Sequence, residues 1–539
     1  MLIWTDTVEK RTFQTTIVEI ILAVLNSESR AAQELMREEA MLQRTSLLVL
    51  RQLLTGLGAE RIIDADIHIT LIEKLCIALD QNSDIVQSTI IDTLLAALKA
   101  KFAQALQPPP PPRHRRASRD TLRSASLLSL STEKVDKIHH TPSIPQPPEQ
   151  LLNCLLRGIS SPNSRGCLDK WILLLSESLP LYGEAIFQIL LMLVECFCRE
   201  IRTSFANLQE VFKKTENWSK DRSEFVTIAL LTGLETCIAS AHDRLHAGEA
   251  TTPAIRSPDQ PQGFFGNMVS GVFNSDGIPG RNMANDRLTV LLCFQDAVRL
   301  CFSIWSWGAI SKGGTGLDSE SAASFQYTSL RMRNRSRRLL EHLFAAEALE
   351  CLETLVEVWS KLGPFETAHA AHVLNLLHTL DRARPKTTIP AIFNAIYSRT
   401  NPAALDPSRK SALASNITES ELAAFLVTYA RSLDDDVLDE IWSDCTTFLK
   451  DVLANPFPHR QILSRLVEFS AILGAKMENT SFGEDRRMRK ELGVRMGQLL
   501  LHYMLMTISG PSTSSPSGHI HQQAHGYASG IWDLRTSVI

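Results

Sequence analysis

Apolar side chains recur every three to four positions through most of this chain, the period that gathers them on one stripe of an α-helix. Ile20, Ile21, Val24 and Leu25 set that period near the start, and a second helix is expected from about Ala31 to Leu54, stopping near Gly56-Leu57-Gly58. Ile67 to Leu79 predicts a helix, Asp80-Gln81-Asn82-Ser83 a turn, and Asp84 to Lys101 the next helix, with the Asp84 carboxylate expected to cap it. Two helices on so short a turn, each apolar on one side, are the unit of a HEAT or armadillo array. Such a unit cannot bury its face alone, so neighbours must stack on it. The same period predicts helices over Gly166 to Leu179, Tyr182 to Phe212 and Phe225 to Leu245, with Pro180 dividing the first two. Later helices are expected over Thr328 to Phe344, Ala346 to Leu362, Glu366 to Leu380, Glu419 to Ser432, Asp434 to Leu453, Gln461 to Met477 and Glu484 to about Met506. No alternating apolar and polar run bounded by hairpin turns predicts a sheet. The expected fold is all-α, a HEAT/armadillo-like helical-repeat solenoid with disordered linkers.

The interruptions divide the chain. Helical blocks are expected over 1–106, 148–245 and 285–507, with linkers at 107–147 and 246–284 and a Ser-, Pro-, Gly- and His-rich tail at 508–539 expected to be disordered. The first linker opens with five prolines, Pro108 to Pro112, which lack the N–H a helix needs. Arg115-Arg116-Ala117-Ser118 follows, a sequence a basophilic kinase accepts at Ser118; the plainer reading is a solvated basic linker. The second linker holds an apolar island, Phe264-Phe265-Gly266-Asn267-Met268-Val269-Ser270-Gly271-Val272-Phe273. Phe264, Phe265, Met268, Val269 and Phe273 could dock a partner or a lipid headgroup region, or fold back on the protein's own core.

Composition adjusts this picture slightly. With 539 residues the chain exceeds one compact core. Its 44% hydrophobic and 21% charged residues are ordinary for a folded soluble protein, while only 6% are aromatic, so cores must rest on Leu, Ile, Ala and Val. The formal net charge of −4 gives no general basis for binding nucleic acid. The ten cysteines fall mostly in apolar helical contexts, such as Cys76, Cys154, Cys293 and Cys301, which suits buried thiols in a reducing compartment better than disulfides. No signal peptide is expected at the start. No membrane-spanning helix is expected either, because the most apolar stretch, Ile186 to Cys198, is short and carries Gln188 and Glu195.

The search for chemistry returns little. There is no phosphate-binding glycine loop, no Gly-x-Ser-x-Gly elbow and no His-Glu-x-x-His helix. His369 and His372 share a helix with His378, but Ala and Leu fill the rest of that face, so packing is preferred over a metal. Asp434-Asp435-Asp436 lacks a turn glycine and converging ligands, and is read as a helix start whose acids complement the dipole. No catalytic residue, cofactor or metal is expected. Two basic clusters remain. Arg331, Arg333, Arg335, Arg337 and Arg338 are placed at a helix start; Arg486, Arg487, Arg489 and Lys490 form the second. Either could meet phosphoinositide headgroups or an acidic partner. Glu341 beside the first, and Glu484, Asp485 and Glu491 beside the second, offer the other reading, ion pairing within the solenoid.

Several stretches in shared order resemble the Dopey family of large trafficking scaffolds, its fungal members most closely. They are Gly166-Cys167-Leu168-Asp169-Lys170-Trp171 and Val194-Glu195-Cys196-Phe197-Cys198 within Leu151 to Phe212; the Gly263 to Phe273 island; Arg331 to Glu341; and Asp434 to Leu453 continuing to Lys476 to Glu484. The resemblance runs over roughly residues 150 to 492, after which Gly493-Val494-Arg495 and the tail depart from the family pattern. Family members are far longer, so the chain is expected to be an interior portion of one. The resemblance implies a non-enzymatic scaffold, peripheral on the cytosolic face of Golgi and endosomal membranes. It implies work in traffic between endosomes and Golgi, and in fungal polarity and morphogenesis. The implied partners are a large scaffold related to the Arf exchange factors and an aminophospholipid flippase.

Overall fold

A computed structural model describes residues 13–26, 33–56, 62, 66–81, 83–102, 147–212, 223–251, 279–310, 319–361, 367–402, 405, 416–480 and 486–508. Among the described residues there is no strand, and the regular structure is helical throughout. The chain divides into two compact units, residues 1–207 with 225–255, and residues 208–224 with 256–539.

The first unit holds α1 (Phe13–Asn26), α2 (Gln33–Thr55), α3 (Ile67–Asp80), α4 (Asp84–Lys101), α5 (Glu149–Ser160) and α6 (Leu168–Ser178), with most of α7 (Ile186–Val211) and α8 (Ser223–Thr251). The stacking rule is simple. Sequential helices pack as α1 on α2, α3 on α4 and α5 on α6, while α1, α3 and α5 form one layer and α2, α4 and α6 the other. Each pair thus buries its stripe against the next pair, as the apolar spacing requires. A buried polar hub ties the layers together. Gln87, fully buried on α4, accepts the Trp171 indole N–H at 3.0 Å and donates to the backbone oxygen of Asn163 at 3.0 Å. Along the α2–α4–α6 layer, Asp92 accepts from Arg51 at 3.2 Å and from Lys170 at 2.9 Å.

Two expectations change here. Ser83, not Asp84, precedes the first helical residue of α4, and it makes no side-chain cap bond. Asp84 already has helical geometry, so its carboxylate is turned away from the free N–H groups and packs against Gly166 instead. The other change concerns membrane-spanning length. The runs Pro162–Val211, Ser223–Gly248 and Ala284–Trp307 are long and apolar enough to cross a bilayer by length and composition alone. The sequence reading overlooked them because it stopped at single polar residues. In the structure more than half of each apolar window is buried by the protein itself. A 3₁₀ segment from Leu179 to Ala185 separates α6 from α7, and Gly183 turns the chain there with φ of 52°, a conformation that favours glycine.

The second unit holds α9 (Pro279–Ile310), α10 (Ser319–Ala346), α11 (Ala348–Lys361), α12 (Thr367–Thr379), α13 (Pro385–Thr400), α14 (Glu419–Ser432), α15 (Leu438–Ala454), α16 (Leu463–Glu478) and α17 (Arg486–Ile508). The alternation returns, with α11, α13, α15 and α17 stacked in one layer and α14 on α16 in the other. The helix α13, which carries Pro385 and Pro390, was not among those expected from the sequence. Pro385 sits in the first turn, where its missing N–H costs nothing, and Pro390 is tolerated inside. Thr418 and Glu421 close a reciprocal capping box on α14, with the Thr418 hydroxyl accepting from the Glu421 N–H at 3.2 Å and Glu421 accepting from the Thr418 N–H at 2.8 Å.

Candidate interaction surface

The arginine cluster lies in the middle of α10, not at a helix start, because that helix begins at Ser319, upstream of the expected Thr328. A mid-helix position splits the five arginines over different faces. At 100° per residue, Arg331, Arg335 and Arg338 share one stripe, and Arg333 and Arg337 lie on another. Arg331 donates to Glu224 at 2.8 Å, and Thr328 donates to the same carboxylate at 3.2 Å. The Arg333 guanidinium sits over the Trp305 ring at 4.8 Å. Arg337 reaches Glu341 at 3.8 Å and Asp381 at 3.9 Å. Arg338 is exposed, and Arg335 is half-buried. The cluster is therefore partly consumed by internal pairing and partly presented outward.

In the second cluster Arg486, Arg487, Arg489 and Lys490 are all exposed in the first turns of α17. Glu491 pairs with Arg495 at 2.5 Å. Four cations at a helix N-terminus oppose its dipole. Ser118 and the island residues Phe264, Phe265, Met268, Val269 and Phe273 lie outside the described residues.

Two further candidates make contacts with neighbouring elements. His378 meets Ser432 at 3.0 Å and stacks on Tyr429 at 5.7 Å, so it belongs to the contact of α12 with α14. Burial lowers its pKa, partly offset by Asp434. Asp435 opens the helical segment that runs directly into α15, where acids were expected. It lies in a short 3₁₀ turn, and its carboxylate accepts from Lys476 at 3.0 Å and Asn479 at 3.0 Å, stapling that turn to the end of α16. These partners hold its carboxyl below the usual range.

Sequence reasoning missed a buried ionic seam on α11. Glu350, Glu353 and Glu357 point into the second unit from one side of that helix, and all three are buried. Gln295 of α9 donates to Glu350 at 2.6 Å; Arg299 of α9 donates to Glu357 at 2.7 Å and to Gln295 at 3.1 Å. Arg399 of α13 donates to Glu353 at 2.9 Å and to the Ile417 carbonyl at 2.6 Å. Glu350 alone of the three has no cation on it, and burial pushes its carboxyl up to about 7. The available signal was three glutamates at helical spacing inside an apolar stripe, where solvated charges are out of place.

Helix pairs stacked on their neighbours in two layers define a helical-repeat protein. The family model described as DOP1 C-terminal matches residues 425–530. The chain belongs to the Dopey family. It is 58% identical over 523 residues to Protein dop1 of Emericella nidulans, which covers 96% of this chain and 28% of that protein. It is 25% identical over 358 residues to Protein DOP1 of Saccharomyces cerevisiae, covering 63% of this chain and 20% of that protein. The chain thus spans less than a third of the length of these relatives. The likeness reaches beyond residues 150–492, and the expected departure after Glu491 is corrected, since the family match continues to residue 530. A crystal structure of the karyopherin Kap121p bound to the extreme C-terminus of the protein phosphatase Cdc14p aligns over 97% of this chain and 53% of that one, at 13% identity and a TM-score of 0.20. So loose a superposition does not bear on the fold.

Proposed function

We propose that this chain is a non-enzymatic scaffold segment acting at the cytosolic face of Golgi and endosomal membranes. In this reading it holds protein partners during traffic between the two compartments and so supports cell polarity and morphogenesis. The observation that carries the proposal is membership of the Dopey family over nearly the whole chain. Helix pairs stacked in two layers support it, because they offer repeated grooves without needing a single enclosed pocket. The partners proposed from the family resemblance are a large scaffold related to the Arf exchange factors and an aminophospholipid flippase. Proximity labelling in cells, with this chain and its full-length relative tagged in parallel, tests the reading. Recovery of both partners with both baits is expected. Recovery with the longer protein alone assigns the docking surface elsewhere and overturns the proposal for this segment.

A second reading, direct contact with phosphoinositide headgroups, draws on one feature: Arg331, Arg335 and Arg338 share a stripe of α10, and Arg338 is exposed. Flotation with vesicles containing phosphatidylinositol 4-phosphate at physiological salt, lost when these three become Gln, is the expected result. Flotation unchanged by those substitutions removes the reading.

A further inference from the structure

Nine of the ten cysteines are buried, and Cys76 is the exception, half-exposed on α3. Opposite it, on α5, stands Cys154, fully buried. The two helices pack directly, and their register is pinned one turn further along, where Arg157 of α5 donates to Asp80 of α3 at 2.9 Å. Cys76 precedes Asp80 by one helical turn, and Cys154 precedes Arg157 by nearly one. The register therefore places both thiols on the same contact of α3 with α5, where each shifts the other's titration.

We propose that Cys76 and Cys154 are a reversible redox pair, in which a hydroperoxide oxidises Cys76 and Cys154 then closes a disulfide between α3 and α5. The Cys76 thiolate attacks the terminal oxygen of the hydroperoxide. The O–O bond breaks, the alkoxide takes up a proton and leaves as alcohol or water, and Cys76 becomes a sulfenic acid. The Cys154 sulfur then attacks the Cys76 sulfur and breaks the S–O bond. Its proton goes to the departing hydroxide, which leaves as water. In sum, two thiols and one hydroperoxide give one disulfide, one alcohol and one water. A dithiol reductant reverses the link by exchange.

The surroundings divide the two roles. The hydrogen bond from Cys154, with the Arg157 guanidinium nearby, lowers the Cys76 pKa and favours its thiolate. Donation to Cys76 and burial hold Cys154 in the thiol form, keeping it in reserve for the second step. Elsewhere burial raises the thiols of Cys351 and Cys445 well above the usual range, which leaves them inert. The disulfide would close the chain between residues 76 and 154 and fix α3 on α5 covalently, where at present a surface ion pair and packing hold them.

The test treats the full chain with a modest excess of hydrogen peroxide, blocks free thiols by alkylation, and maps peptides without reduction. A single cross-linked pair joining Cys76 to Cys154, lighter by two hydrogens and released by dithiothreitol, is expected. It should be absent in Cys76→Ser, and in Cys154→Ser dimedone should trap a sulfenic acid at Cys76. The wild-type map decides the matter even where Cys154→Ser folds poorly. Cys76 still alkylatable after treatment, or carried to sulfinic acid with Cys154 unlinked, overturns the proposal.

Discussion

Trp171 is wholly buried between α4 and α5, and its neighbour Gly158 leaves no room for a side chain: a Cβ there would lie 2.1 Å from the ring. Since the ring also holds the Gln87 hydrogen bond, it has no freedom to swing aside. Gly158→Ala is expected to destabilise the first unit by about 1–3 kcal/mol in denaturant unfolding. A surface substitution such as Asp169→Asn should leave it unchanged within about 0.5 kcal/mol. Glu350 makes a different prediction, because its folded-state pKa of about 7 lies above the ordinary 4.5. The folded protein binds that proton more tightly than the unfolded chain does. The resulting stabilisation is full below the unfolded value and is lost as pH rises through about 7, with up to about 3 kcal/mol at stake. Glu350→Gln, which keeps an oxygen for Gln295, should flatten the decline in stability of the second unit between about pH 4.5 and 7. A decline of the same size in the variant would mean that another group carries it.

Helices that announced themselves were those whose apolar stripe is continuous. Asp84–Lys101 was legible to the residue, and α14 carried its capping pair in Thr418 and Glu421. What stayed hidden depended on neighbours rather than on local pattern. No helix was expected from the sequence at α13, whose place between α11 and α15 is set by packing. Glu350, Glu353 and Glu357 stand at helical spacing within an apolar stripe, but the cations that meet Glu357 and Glu353 arrive from α9 and α13, up to 58 positions away. The arginines of α10 were visible as a cluster, but their division between faces followed from where the helix begins. The Glu353–Arg399 pair gives these ties a measurable strength, both side chains being nearly inaccessible. Arg399→Met should cost about 3–5 kcal/mol by stranding a buried carboxylate, and adding Glu353→Met should recover most of that loss. If the double variant is as unstable as the single one, the pair is not the source of the cost.

Each unit is held by contacts between neighbours in the stack, and damage should stay correspondingly local. In hydrogen exchange, Gly158→Ala is expected to loosen α3 to α8 while α11 to α17 keep their protection. Loss of protection through both units alike would contradict nearest-neighbour stacking. Family membership was legible as ordered segments, and the similarity to Protein dop1 of Emericella nidulans extends over 96% of the chain. The alternation in which each helix packs on the one two places before it has a further consequence for biosynthesis. When a helix pair leaves the ribosome, the surface it must cover has already been made and is waiting. Assembly can therefore proceed in the order of translation, with little apolar surface left uncovered for chaperones to guard at any moment.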